Sequence, residues 1–583
     1  MKRVLFLGLV FMAFGVHAKT PTADMVFRNG YIYTVDAKDS VAQALAVKDG
    51  RIFYVGGDAG AKAFTGRKTQ IIDLKGRMVM PGLIDGHMHP QSGGLRMLNC
   101  NLHYDSLTIT EFQARIQKCA DDDKASGPDD WLQVINWFEQ GAKPAGTAPT
   151  RTALDGVKTT RPIKVHSSFG HSNLTNTRGL ALAGITRDTP NPKDGVIVRD
   201  ADGEPTGLLQ DAAQDMIDKL VPPPSVETNY KATQLALKAM REQGITTFLD
   251  AYTDIETMTA YRTISKEGGL TARAHFAVLI DSPADYDADK AIAEVLKEKT
   301  EFEQKPDGAR PIMKVDTAKL FLDGVYSAPA FSAVMVEPYF ENGQPGHNYG
   351  PKPYFTQGQL DDTLIKLAAV GLNPHMHADG DGSVRMGLNA VEAMRKVHPS
   401  DDIRPAIAHD EIVDPADYKR YAEVGALPVL SFQWERPSVD IAQSMAALGP
   451  VRSALMEPAG LLEIYGARIV YGSDWPVDAL DEWLALQIGV TRRAIGEDAV
   501  TYPDRLGIDP GLTVAQVVRA ITLNAAYSLR QDKETGSLET GKFADLIVLD
   551  RNLFQIKPEE IGGTQVLMTM VGGKAVYKAG DFK

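Results

Sequence analysis

The sequence predicts a (β/α)₈ barrel with a small composite β-sandwich built from both chain ends, and three observations predict it. Short apolar segments recur through the middle of the chain between helical stretches, and with the segment before His87 they number eight. Polar residues gather at the C-terminal ends of these segments, which is where such barrels place their chemistry. The two ends of the chain are instead rich in strands and turn signals, which suggests that the termini meet in one sandwich. At 583 residues the chain exceeds a typical single domain, so one large domain with a satellite is expected.

Taken in order, residues 1–18 read as a signal peptide. Lys2 and Arg3 form a charged start, residues 4–16 are uninterruptedly apolar, and Val16-His17-Ala18 offers a small residue for cleavage before Lys19. The apolar run is too short to span a bilayer, and no cysteine follows it for lipid attachment. An uncleaved anchor is the alternative; the expected product is periplasmic or secreted. Residues 19–78 and 526–583 are assigned to the sandwich. There, residues 24–33 and 44–56 read as hairpin strands with Asn-Gly and Asp-Gly turns, and residues 544–550 and 575–577 have the same character. Residues 79–525 are assigned to the barrel, with a long insertion at about 99–210.

His87 and His89 stand in Pro81-Gly82-Leu83-Ile84-Asp85-Gly86-His87-Met88-His89-Pro90, with Arg77-Met78-Val79-Met80 just upstream as the short buried strand that carries them. Residues two apart on a strand share a face, so both imidazoles point the same way, as two ligands of one metal should. The remaining barrel strands are expected at 246–250, 273–278, 317–323, 373–377, 404–409, 427–432 and 468–474. His377, His409 and Asp474 end three of them. A buried histidine bonded to a carbonyl, or an aspartate capping a turn, explains any one of these alone but not their joint placement at strand ends. Lys319 lies inside a strand, which is costly unless the amine is paired, with Asp323 or Asp316, or chemically altered.

Composition narrows the partners. The formal charge is −13, and losing Lys2 and Arg3 by cleavage takes it to −15. An acidic surface without basic clusters argues against nucleic acid or anionic lipid, and no membrane contact is expected after cleavage. A homo-oligomer stays open. Cys100 and Cys119 are the only cysteines; an exported pair can form one disulfide, and two free buried thiols fit as well.

The chain resembles the amidohydrolase superfamily, more closely amidohydrolase family 3, the branch of N-substituted formamide deformylase. The resemblance covers nearly all of residues 25–583. It rests on the His87-Met88-His89 segment, Gly170-His171-Ser172-Asn173, Lys319-Leu320-Phe321-Leu322-Asp323-Gly324, His377-Ala378-Asp379-Gly380-Asp381, His409, Gly472-Ser473-Asp474-Trp475-Pro476, and the segment from Gly541 to Asp550. It implies a metal-dependent hydrolase of non-peptide carbon–nitrogen bonds, with zinc or another divalent metal as one or two ions. His87, His89, His377, His409 and Asp474 fall on the family's ligand positions. Lys319 falls where members with two metals carry a carbamylated lysine, N6-carboxylysine. His171 looks like a substrate-pocket histidine that polarises the scissile carbonyl. Asp474 would take a proton from the attacking water and pass it to the leaving amine.

The implied substrate is a small amide, formamide, carbamate or cyclic imide. A deaminase or lactonase on the same scaffold, or a non-catalytic exported binding protein, are the other readings. The chain departs from the family in reading Asp379-Gly380-Asp381 where relatives often read Ile-Gly-Asp, which adds a carboxylate at Asp379, and in placing Ala408 before His409 where a glutamate is frequent. His375 shares the face of His377 and is a second-tier candidate. The insertion is expected to cover the barrel mouth and set specificity; Trp131, Trp137 and Phe138 either line it or pack as core.

Overall fold

A computed structural model gives the structure of the protein and describes residues 21–582, apart from Ala125, Ala145, Phe169, His171, Asp194, Pro283, Ala284, Ala328, Pro329, Asp401 and Asp581. The signal segment at 1–18 and the pocket candidate His171 lie outside the described residues.

The centre is an eight-stranded sheet in which each strand neighbours the next in chain order. Its strands are β1 (Leu83–Met88), β2 (Ile245–Thr253), β3 (Arg273–Leu279), β4 (Met313–Phe321), β5 (Asn373–Ala378), β6 (Ala406–His409), β7 (Leu427–Leu430) and β8 (Val470–Tyr471). All seven ladders are parallel. Parallel strands covered on both faces are apolar almost throughout, which is why these runs stood out in the sequence. The sheet closes into a barrel between β8 and β1. Asp474 N–H donates to the His87 carbonyl at 2.8 Å, and His89 N–H donates to the Trp475 carbonyl at 2.7 Å. Glycine is required on both sides of that seam: a Cβ on Gly86 would stand 2.9 Å from the Tyr471 carbonyl oxygen, and one on Gly472 would stand 2.5 Å from His87 Cβ.

Helices alternate with the strands outside the barrel. Ser225 accepts from Thr228 N–H to start helix Val226–Gln243, and Gly244, with φ +96°, ends it directly before β2. Inside, Ile84, Leu249, Ala277, Ala406, Ala408, Val429 and Val470 pack against Ala525, Ala526 and Leu529, which fill one end of the barrel.

The first barrel strand differs from expectation. The segment Met78–Pro81 belongs to the sandwich, and the strand carrying His87 is Leu83–Met88. The chain turns between the two sheets at Gly82, where a Cβ would lie 2.2 Å from the Thr246 side chain. Two apolar runs separated by one glycine read as a single strand from sequence.

The sandwich joins both chain ends. Tyr31–Tyr33, Val41–Ala42 and Met78–Pro81 share a six-stranded sheet with Leu546–Leu549, Val566–Val571 and Lys574–Lys578. A four-stranded sheet of Met25–Arg28, Ala44–Lys48, Arg51–Gly56 and Gln70–Asp73 accompanies it. Asp49-Gly50 makes the expected tight hairpin, with both φ positive at 50° and 76°. Asn29-Gly30 does not: Met25–Arg28 pairs with Ala44–Lys48, while Tyr31–Tyr33 pairs in the other sheet. The same dipeptide signal serves there to switch sheets.

The insertion after β1 forms its own six-stranded sheet, running from Cys100–Asn101 to Pro205–Asp211. Cys100 and Cys119 are disulfide-bonded across a Cα separation of 5.6 Å, tying its first strand to helix Ile109–Asp122. Trp137 packs on Phe112 in the insertion's core and Trp131 against a second small cluster. Among the described residues no helix is long and apolar enough to cross a membrane.

Candidate metal centre and active site

The C-terminal ends of five barrel strands converge on one cavity of about 240 Å³. His87 comes from β1, with His89 just beyond it; Lys319 comes from β4, His377 from β5, His409 from β6, and Asp474 from the turn after β8. Asp474 Oδ1 lies 3.1 Å from His89 Nε2 and 3.4 Å from His87 Nε2. The His87 and His409 rings are 4.9 Å apart between centroids, and those of His377 and His409 are 4.5 Å apart. The structure thus brings together all the expected ligand residues.

Local backbone strain aims two of these groups. His409 has φ +87° and Asp474 has φ +52°, values that residues with a Cβ rarely adopt. Such strain persists only where the surroundings enforce it, and it collects at functional sites. Asp85, fully buried, does the enforcing at Asp474. Its carboxylate accepts from His87 N–H at 3.0 Å, from Ser473 N–H at 3.1 Å and from the Ser473 hydroxyl at 2.5 Å. One side chain therefore fixes the backbone on both sides of the barrel seam.

Beneath the site, His375 Nε2 and His87 Nδ1 share a hydrogen bond at 2.8 Å. His375 thus orients His87 and does not reach the cavity. Asp323 stands behind His377, its Oδ1 at 3.4 Å from His377 Nδ1. It is locked by N–H groups of Val334, Asp379 and Gly380 and by the Ser383 hydroxyl. Asp316 pairs with His275 at 3.2 Å. Neither aspartate proposed as a partner for Lys319 holds it. The amine instead lies over the Phe321 ring, 4.6 Å from its centroid, with Lys319 1 % exposed.

The protonation states suit ligand duty. Burial, reinforced by Lys319, pushes His87 down to about 3, leaving a neutral imidazole. Burial also holds His409 well below the usual histidine range. Burial alone would raise the Asp474 carboxyl, but the close His87 and His89 imidazoles outweigh it and hold the group well below the carboxylate range. Burial lowers the Lys319 amine to about 8.

His87 Nε2 and Asp474 Oδ1, 3.4 Å apart at the cavity, are buried with no hydrogen-bond partner. Leaving one such atom unpaired costs about 1–3 kcal/mol, so two of them facing each other fit a missing cation. Two overlapping triads have ligand atoms within 4.8 Å of one another: His87, His409 and Asp474, and His377, Asp379 and His409. Neutral imidazoles with carboxylates are a donor set that zinc-like ions take.

Two lining groups, Glu411 and Trp434, escaped the sequence reading. Asp379, which it singled out as a departure from the family, lines the cavity, and burial raises it to about 6. Glu411 faces it, and burial raises that carboxyl well above its usual range. The carboxylate doubted before His409 is thus present two residues after it. Trp434 stacks on His409 at 5.8 Å, and its indole N–H donates to Asp478 at 2.8 Å. Asp381, by contrast, turns away and accepts from Val336 N–H.

The insertion differs from expectation too: none of its described residues lines the cavity, Trp131, Trp137 and Phe138 included. It braces the loop behind Asp474 instead, with the Tyr104 hydroxyl donating to the carbonyls of Pro476 and Asp478 at 3.0 and 3.1 Å. Its strands pair among themselves, and the cavity wall comes from the loops after β4, β5, β6, β7 and β8.

The amidohydrolase family profile matches residues 70–577, and the chain belongs to that family. Membership of that family makes it a hydrolase acting on carbon–nitrogen bonds. It is 28 % identical over 570 residues to Protein LONG AFTER FAR-RED 3 of Arabidopsis thaliana, covering 95 % of this chain and 92 % of that one. It is 26 % identical over 574 residues to N-substituted formamide deformylase of Arthrobacter pascens, covering 96 % and 99 %. Among solved structures, an uncharacterized metal-dependent hydrolase from Pyrococcus furiosus shares the fold, with a TM-score of 0.68 and 21 % identity over 92 % of this chain and 99 % of that one.

Proposed function

We propose that this chain is an exported amidohydrolase that cleaves an amide, formamide, carbamate or cyclic imide of a small molecule, using one or two zinc-like ions. The observation that carries the reading is the pair of buried, unpartnered atoms His87 Nε2 and Asp474 Oδ1 within the two overlapping His/Asp triads at the strand ends. His87, His89, His377, His409 and Asp474 would hold the metal, and Lys319 would bridge two ions after carbamylation. The lowered amine of Lys319 supports that modification, because only the uncharged amine adds carbon dioxide.

When bound, such an ion supplies Lewis acidity that polarises the scissile carbonyl and makes water acidic enough to attack near neutral pH. Asp474 Oδ1 accepts the proton of the attacking water and delivers it to the leaving nitrogen, because it faces the cavity and is ionised at neutral pH. Its strained turn and the Asp85 brace hold it on that line. Burial of His87, Lys319, His377, His409 and Asp474 strengthens each of these interactions. His171 enters as a carbonyl-polarising group through the family resemblance. Export is supported by the N-terminal sequence and by the Cys100–Cys119 disulfide, a bond that persists in oxidising compartments.

The test is a screen of amides, formamides, carbamates and cyclic imides against the zinc-loaded protein, scoring primary-amine and ammonia release separately. Release of a primary amine or ring opening supports the reading. Ammonia release from an aminated ring would make it a deaminase, and ester-only turnover a lactonase.

A further inference from the structure

The segment that follows Asp474 is held from behind by polar bonds more than by packing. On its outer side lies a cavity of about 230 Å³, lined by Arg96, His103, Tyr104, Asn136, Trp475 and Pro476. Space there supplies no van der Waals contact, so the place of residues 476–478 depends on the hydrogen bonds beside it. The Pro476 carbonyl accepts from Arg96 Nη1 at 2.6 Å and from the Tyr104 hydroxyl at 3.0 Å, and that hydroxyl also lies 3.1 Å from the Asp478 carbonyl.

The insertion holds Tyr104 in a strained turn. His103 and Tyr104 have φ of 59° and 58°, the His103 N–H donates to Asn101 Oδ1 at 2.7 Å, and the Tyr104 N–H donates to the Asn136 carbonyl at 3.0 Å. Two successive residues with a Cβ in the left-handed region persist only where the surroundings enforce them.

On its inner side the same segment meets the active-site wall. Asp478 Oδ2 accepts from Trp434 Nε1 at 2.8 Å, and Trp434 lines the cavity while stacking on His409. Val477 lines it too, with its N–H donating to the Asp474 carbonyl at 2.9 Å. Asp474 itself is fixed separately, by its N–H bond to the His87 carbonyl and by the Asp85 brace at Ser473. A shift of residues 476–478 therefore moves the wall and spares the ligand residues.

Resting on the reading of this cavity as the substrate site, we propose that Tyr104 is a positioning residue for substrate binding: it holds Asp478, and Asp478 aims the Trp434 indole. The insertion thereby acts on specificity without reaching the cavity.

The test uses the zinc-loaded full chain and combines Tyr104→Phe with Trp434→Phe. On an amide that the protein hydrolyses, Tyr104→Phe should raise KM about three- to tenfold, the scale of one hydrogen bond, with kcat within about twofold of the parent and zinc per chain unchanged. In the Trp434→Phe background the same substitution should change KM by less than about twofold. Asp478→Ala should match Tyr104→Phe, and Asp478→Asn, which keeps an oxygen for the indole, should recover most of the loss. Acrylamide quenching of tryptophan emission reads the same linkage without substrate. Tyr104→Phe should ease quenching in the parent background and leave it unchanged in the Trp434→Phe background. Unchanged KM with a lower melting temperature would reduce Tyr104 to a structural brace and overturn the proposal. Equal effects in both backgrounds, or kcat and zinc falling together, would overturn it as well. If no amide is turned over, the amidohydrolase reading fails and the quenching comparison alone decides the role of Tyr104.

Discussion

Two aspartates, each nearly buried, show how the two ends of the barrel differ. Asp545, 4 % exposed, lies where the sandwich meets the start of β3, and Asp474, 6 % exposed, lies at the opposite end. Asp545 receives Arg273 through two bonds, Nε at 2.7 Å and Nη2 at 3.1 Å, and accepts Gly572 N–H at 2.6 Å. Arg273 spends its other donors on the carbonyls of Ala309 and Arg310, and Phe543 covers its guanidinium at 4.1 Å. Asp474, equally deep, has an oxygen with no hydrogen-bond partner and stands beside His87 Nε2, which has the same deficit. A buried charge that is fully answered holds the fold together, whereas one left unanswered marks where a ligand completes the structure.

Four predictions break or sharpen this contrast. The largest effect is expected at the unanswered end: His87→Ala or His89→Ala should lose bound metal and all measurable turnover while circular dichroism and melting stay near those of the parent. Full metal occupancy with normal turnover in either variant would remove the assignment. Next, Lys319→Ala should retain one ion or none, with partial rescue of activity by short-chain carboxylic acids. An unmodified lysine beside a fully loaded binuclear site would refute the bridging role.

At the answered end the sign reverses. Asp545→Ala leaves the Arg273 guanidinium buried and unpaired, a loss of about 3–5 kcal/mol in chemical denaturation. Metal content per folded chain should be unchanged, so metal loss from folded Asp545→Ala protein would erase the contrast. The smallest of the four is Asp474→Asn, which keeps the size but cannot take a proton. Turnover should fall by about 10²-fold or more, in line with the contribution of a general base, and a substrate analogue should still bind. Near-normal turnover would send the search for the base to Asp379 and Asp381, of which only Asp379 faces the cavity.

Much of this was legible in the sequence because parallel strands buried on both faces leave apolar runs, and because a polar residue ending such a run is conspicuous. His87, His377, His409 and Asp474 were found that way, and Lys319 by its misplacement. What one glycine separates was not legible: the Met78–Pro81 and Leu83–Met88 strands ran together, and Asn29-Gly30 looked like the hairpin turn that Asp49-Gly50 is. Nor were contacts across the barrel. Asp323, Glu411 and Trp434 follow their strands like ordinary capping or turn residues, and only the closed sheet brings Asp323 behind His377 and Trp434 onto His409. The family resemblance supplied roles that spacing alone leaves open, while the insertion's position beside the β8 loop could be known only from its hydrogen bonds.

The central claim is that these unpartnered donors exist to bind metal for hydrolysis. Its most direct test is elemental analysis of the purified parent protein, paired with amine release from an accepted amide before and after chelation. One or two divalent ions per chain, lost with activity on chelation and restored with it by zinc, is the expected result. Undiminished turnover in protein shown to be metal-free would contradict the account.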